Sequence, residues 1–226
     1  MRIPKIESHS KDIETKTIHI SDVEPLDYSI EYPFNRDKLI KRIEKIVRQS
    51  YEYKELITFL KEEMDLDHCL LLSNLDLSLV KLELHHDPLR LYDVVDTVIR
   101  KHEKKVGEDN LNVFDIAEEV MEIHFKGMIP LVPITTTVHE LIHAGEVFIP
   151  IQLINQGGWG DYKLFYNEYK AYMTPDFIGR LEDYIDMSNK VISEYNVPIL
   201  ERKYTYLSID GMSLPRRIPV EDEEAM

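Results

Sequence analysis

The chain has 226 residues, 43% of them hydrophobic, which is enough apolar side chain to fill the core of a globular domain. Its formal net charge of -15 opposes broad attraction to nucleic acid, because phosphate binding needs a surface that neutralises the backbone, so any such contact must be local. The single cysteine, Cys69, excludes an internal disulfide framework and a cysteine-rich zinc knuckle, leaving histidines and carboxylates as candidate metal ligands.

Residues 1–35 mix charges and prolines without a sustained period and read as an arm. They hold no apolar core of signal-peptide length, and nothing later approaches the roughly 18 apolar residues of a membrane span, so a cytoplasmic protein with no membrane contact is expected. From residue 36 to 78 the pattern is helical. Leu39, Ile40, Ile43, Ile46 and Val47 recur at helical spacing, and Tyr51, Leu56, Ile57 and Leu60 continue it, as one long helix or a kinked pair. Residues 79–150 form the expected core. Within it, "KLELHHDP" alternates Leu82, Leu84 and His86 against Glu83 and His85 and closes at Pro88, as a strand does. Two helices follow, Leu91 to Lys105 and Asn112 to Lys126, making an insertion over about 89–126. "KGMIPLVPITTT" is extended, since its prolines forbid a helix. The helix "VHELIHAG" comes next, with a threonine to cap it and Gly145 to stop it. Residues 151–210 read as a helical segment with helix up to about Tyr195, and 211–226 as an acidic, mobile tail.

The chemistry-bearing stretch is "TTTVHELIHAGE". On a helix His139 and His143 share a face and can hold one metal ion. Two surface histidines would give the same spacing by chance. A zinc-peptidase reading makes Glu140 the general base and takes a third ligand from downstream, Glu168 being the candidate. The pair His85 and His86 offers another route, because a strand sends neighbouring side chains to opposite faces and gives them different tasks.

"ELHHD" followed by "IPLVPITTTVHELIHAGE" resembles the ββα-metal core of HNH nucleases, most closely the bacteriocin DNases, with Pro130, Leu131 and Gly145 falling at matching positions. The resemblance implies a fold and a set of roles. The fold is α+β, a mostly helical single domain around a small ββα-metal core. His85, His139 and His143 would be the metal ligands and His86 the general base, with Glu83 supporting the site and Arg90 gripping the scissile phosphate. The reaction would be hydrolysis of DNA phosphodiester bonds with one divalent ion, zinc or another transition metal, magnesium being an alternative for activity. The central Asn of the family, which would fall near Gly127 or Met128, is absent. Its absence and the acidic charge favour a further reading, a non-catalytic binding or regulatory protein that keeps the fold and has a protein partner. Long-insert chains of this kind are also similar to uncharacterised proteins of tailed bacteriophages, which would make the compartment the host cytoplasm.

Other residues have plainer readings. The cluster Arg100, Lys101, His102, Lys104 and Lys105 suits a helix C-terminus, with phosphate contact as the alternative. His68 and His124 read as satisfied core or boundary histidines, and Tyr162, Phe165, Tyr166, Tyr169 and Tyr172 as a packing stripe. "INQGGWGDY" reads as a flexible turn, with Trp159 marking a partner contact.

Overall fold

In the computed structural model the described residues are 35–72, 75–76, 79–195, 204–209 and 212–217, with residue 195 and the last two stretches described as backbone. Apart from Asn35, the arm expected over 1–35 lies outside them.

The helical period of the first segment resolves into two helices, α1 (Arg36–Gln49) and α2 (Tyr51–Glu62). The break is local chemistry. Ser50 is extended (ψ 152°), and its hydroxyl accepts from the Tyr53 N–H at 3.1 Å, ending one helix and capping the next. The α1 stripe Leu39, Ile40, Ile43 and Val47 is buried against α3 (Leu91–Val106) and α4 (Val113–Phe125). Those helices contribute Val94, Val95, Val98 and Ile99, and Ile116, Val120 and Ile123. Each fully buried aliphatic side chain contributes about 1.5–3 kcal/mol. Ionic contacts fix the register of this layer: Arg36 reaches Asp96 and, at 2.5 Å, Glu103.

The insertion places α3 and α4 between two short strands, β1 (Leu82–His86) and β2 (Leu131–Thr135), which pair antiparallel with Glu83 opposite Ile134 and His85 opposite Val132. Then α5 (Thr136–His143) springs directly from β2. Thr135 caps it by accepting from the Val138 N–H at 3.2 Å. At its end Gly145 takes φ +75°, while Glu146 N–H donates to Leu141 O and Gly145 N–H to Ile142 O, the paired bonds of a Schellman stop.

After α5 the structure departs from the expected turn. "IQLINQG" is a helix, α6 (Ile151–Gly157), and the WGD stretch is pinned rather than flexible. Trp159 and Leu131 exchange both backbone hydrogen bonds at 2.9 Å, extending the sheet by a bridge. Gly160, at φ +88°, lets the chain pass so close that a Cβ would lie 2.5 Å from Ile129 O. Trp159 itself is buried among Leu56, Leu60, Met64, Leu66 and Leu131, so it is a core residue and not a partner contact. The helices α7 (Tyr162–Tyr169) and α8 (Pro175–Tyr195) complete the helical part. In α7, Tyr162, Phe165 and Tyr169 are buried as a packing stripe. Two strands, β3 (Tyr204–Ile209) and β4 (Met212–Arg217), pair antiparallel where helix and tail were expected. The described chain is thus α+β, mostly helical with small antiparallel sheets. Among the described residues no helix is long and apolar enough to cross a membrane.

Candidate metal centre

The period of two in β1 decides which histidine goes where. Glu83 and His85 share the face turned toward α5, and His86 the opposite one. On the helix, His139 and His143 are one turn apart. Strand and helix together bring His85, His139 and His143 so close that one ligand nitrogen from each lies within 4.8 Å of the others. His85 and His139 are half-buried and His143 is exposed, leaving one side of the cluster open to solvent.

Second-layer contacts prepare these rings. Glu83 Oε2 lies 2.8 Å from His139 Nδ1, so that nitrogen donates to the carboxylate and Nε2 is the atom left with the lone pair. His143 Nε2 lies 2.9 Å from it. Lys81 binds the other oxygen of Glu83 at 2.7 Å and, with His139, holds this carboxyl below the usual range. Glu83 is therefore placed to orient His139 and not to react. Burial is the largest influence on His85, and the neighbouring His139, His143, Arg48 and Arg90 act in the same direction, lowering its pKa to about 4. Near neutral pH it is an unprotonated donor. A set of three imidazoles with an open side suits zinc, nickel or another transition ion, whereas magnesium and calcium select oxygen ligands.

The residue expected as general base is elsewhere. His86 is 6% exposed on the core face of β1, its ring stacked on Tyr53 and its Nε2 3.0 Å from His124 Nε2. Strand alternation that delivers His85 to the cluster necessarily removes His86 from it. The third ligand of the peptidase reading is likewise outside the cluster, since Glu168 is an exposed residue of α7 and the third clustered residue is His85. Glu140 is an exposed residue of α5.

Arg90 is exposed just before α3, and its charge reaches His85. The sequence reading missed Arg48, whose charge also reaches His85, from the last turn of α1. No local spacing links residue 48 to residue 85. Much of the basic run of α3 makes contacts within the protein: Arg100 pairs with Asp96, Lys101 and His102 with Glu119, and Lys104 lies over Tyr172, while Lys105 is exposed. His124 is wholly buried, as expected, but His68 is a surface residue whose side chain is 46% exposed beside Asp67. Near Gly127 and Met128, where the HNH resemblance would call for an Asn, the loop is tied by the Gly127 carbonyl, which accepts from the Asp161 N–H at 2.8 Å. Below β1, Asp87 is half-buried, and desolvation is what raises its pKa to about 6 against the opposing hydrogen bond from Tyr184.

Geometrically this is a strand-and-helix cluster of three imidazoles with a carboxylate behind one ring. The chain carrying it belongs to the Bacteriophage G278-like virion protein family, whose family model matches residues 2–213. No curated protein and no solved structure matches it.

Proposed function

We propose that this phage protein is a metal-dependent hydrolase of phosphodiester bonds, HNH-like in the arrangement of its site, that acts on DNA as a component of the phage particle. The observation that carries the reading is the convergence of His85, His139 and His143 on a strand and a helix, with Glu83 behind His139. A transition ion held there would supply a Lewis acid for the phosphoryl oxygen and an acidified water. Glu83 keeps the His139 lone pair aimed at the ion. Arg48 and Arg90 add positive charge beside His85, which suits an anionic diester better than a peptide and gives a local contact within a chain of net charge -15.

The test is incubation of the purified chain with supercoiled plasmid and zinc, nickel, manganese or magnesium, with and without chelator. Relaxation or linearisation that needs a transition ion and disappears in His139→Ala, while Glu140→Gln retains it, is the expected outcome. A second reading has a specific observation in its favour. With His86 buried against His124, the base that the HNH resemblance assigns is out of place, as it would be in a virion component that uses the metal only to stabilise its fold. Plasmid left intact under every ion, together with tight metal binding, would decide for that second reading.

A further inference from the structure

Behind β1, on the face away from the metal centre, two imidazoles make a contact that the hydrolase reading does not use. His124 is wholly buried in α4, and its Nδ1 lies 2.7 Å from the Val120 carbonyl oxygen. A carbonyl can only accept, so Nδ1 carries the proton. In an apolar pocket the neutral ring is the stable form, and a neutral ring has one N–H, which leaves His124 Nε2 as a bare lone pair. That atom is 3.0 Å from His86 Nε2. The bond needs one proton, and it therefore sits on His86 Nε2. Tyr53 closes the pair from α2, stacked on His86 with ring centres 6.4 Å apart and edge-on to His124 at 5.5 Å.

From this chain of donors and acceptors we infer that His124 is a positioning residue for the metal centre: it holds His86 as the Nε2–H tautomer and, through the shared β1 backbone, sets the direction in which His85 meets His139 and His143. The inference rests on the metal-centre reading above. Its physical basis is the weakness of the strand. β1 has five residues and one paired strand, and His86 is its last residue. A two-stranded ribbon of that length twists readily unless side chains anchor it. The anchor here is a helix inserted between the strands, which makes α4 part of the site. With its Nε2 already a donor, His86 cannot take up a proton at that atom, consistent with its place outside the cluster.

Two measurements test the inference on the full chain. Long-range proton–nitrogen NMR of the chelated protein at neutral pH should find His124 protonated at Nδ1 and His86 at Nε2; the reverse tautomer at either ring overturns the inference. In calorimetric titrations, His124→Phe, which fills the volume without an acceptor, should bind zinc and nickel about tenfold more weakly or worse. His124→Gln, whose amide oxygen can accept from His86, should recover most of that loss. Parent-like affinity in a folded His124→Phe, or an equal loss in both variants, overturns it. Should His124→Phe not fold, the tautomers of the parent decide. A parent that binds neither ion sinks the metal-centre reading itself; the imidazole pair, if its tautomers then hold, is purely structural and the positioning role is lost.

Discussion

Glu83 has the most consequential side-chain contact near the metal centre, because a carboxylate on Nδ1 selects the tautomer whose Nε2 can bind an ion. Glu83→Gln keeps the shape and loses the charge. Its expected cost is about tenfold to a hundredfold in zinc or nickel affinity, read by calorimetric titration, with circular dichroism unchanged. Affinity equal to the parent would mean that His139 is not oriented through this contact. At this scale the histidines that cluster were legible. His139 and His143 announced themselves by helical spacing, and the pair at 85 and 86 by sitting in an alternating strand. What the strand could not announce was which face met α5. The resemblance put His86 to work as a base, and its burial opposite Tyr53 and His124 is decided by residues far away in sequence.

The short helix α5 carries two of the three clustered histidines and has eight residues, too few to be stable in isolation. It depends on its caps and on its seat against β1 and β2. Gly145, at φ +75°, meets nothing within 4 Å of a built Cβ, so Gly145→Ala tests backbone strain alone. The expected loss is about 1–2 kcal/mol, measured by urea unfolding, with weaker metal binding because the last turn holds His143. An unchanged midpoint would show that the stop does not limit the helix. Both caps were readable in sequence, as were the spans of α3 and α4, since serine, threonine, asparagine and glycine act on neighbours a few residues away. The tertiary pairing of Trp159 with Leu131 was not, and so a pinned segment looked like a loose turn. The C-terminal strands are a different case. The alternating "YTYLSI" and "MSLPRR" flank Asp210 and Gly211, the strongest two-residue hairpin signal, and it was there to be read.

For the whole molecule, the buried imidazoles make stability depend on pH. Burial lowers the pKa of His124 from 6.5 to about 4, opposed by its bond to Val120 and aided by Arg48, and it also holds His86 well below its usual value. Both groups bind protons more readily unfolded than folded, so stability is complete above 6.5 and falls as the pH drops toward 4. His124 alone accounts for on the order of 3 kcal/mol. Asp87 works the other way: its raised pKa adds stability below 3.8 that is lost as the pH rises through about 6. With His85, whose pKa is also lowered to about 4, three histidines stand against this carboxylate and leave a net loss on acidification. Urea unfolding of chelated protein should show it between neutral pH and pH 5, and a flat profile would contradict neutral, buried rings.

From its own order of residues the chain determined the helices of its first half, the extended run before α5, the caps of that helix and the placing of His139 and His143 on one helical face. These depend on interactions that reach four residues or fewer along the backbone. Only tertiary structure decided that His85 meets α5 while His86 faces α4, that Arg48 stands near the metal centre, that Glu168 does not, and that the tryptophan loop is locked to β2. Each of those depends on how faces buried by the hydrophobic effect find one another across long separations, and that effect has no direction written into a local pattern.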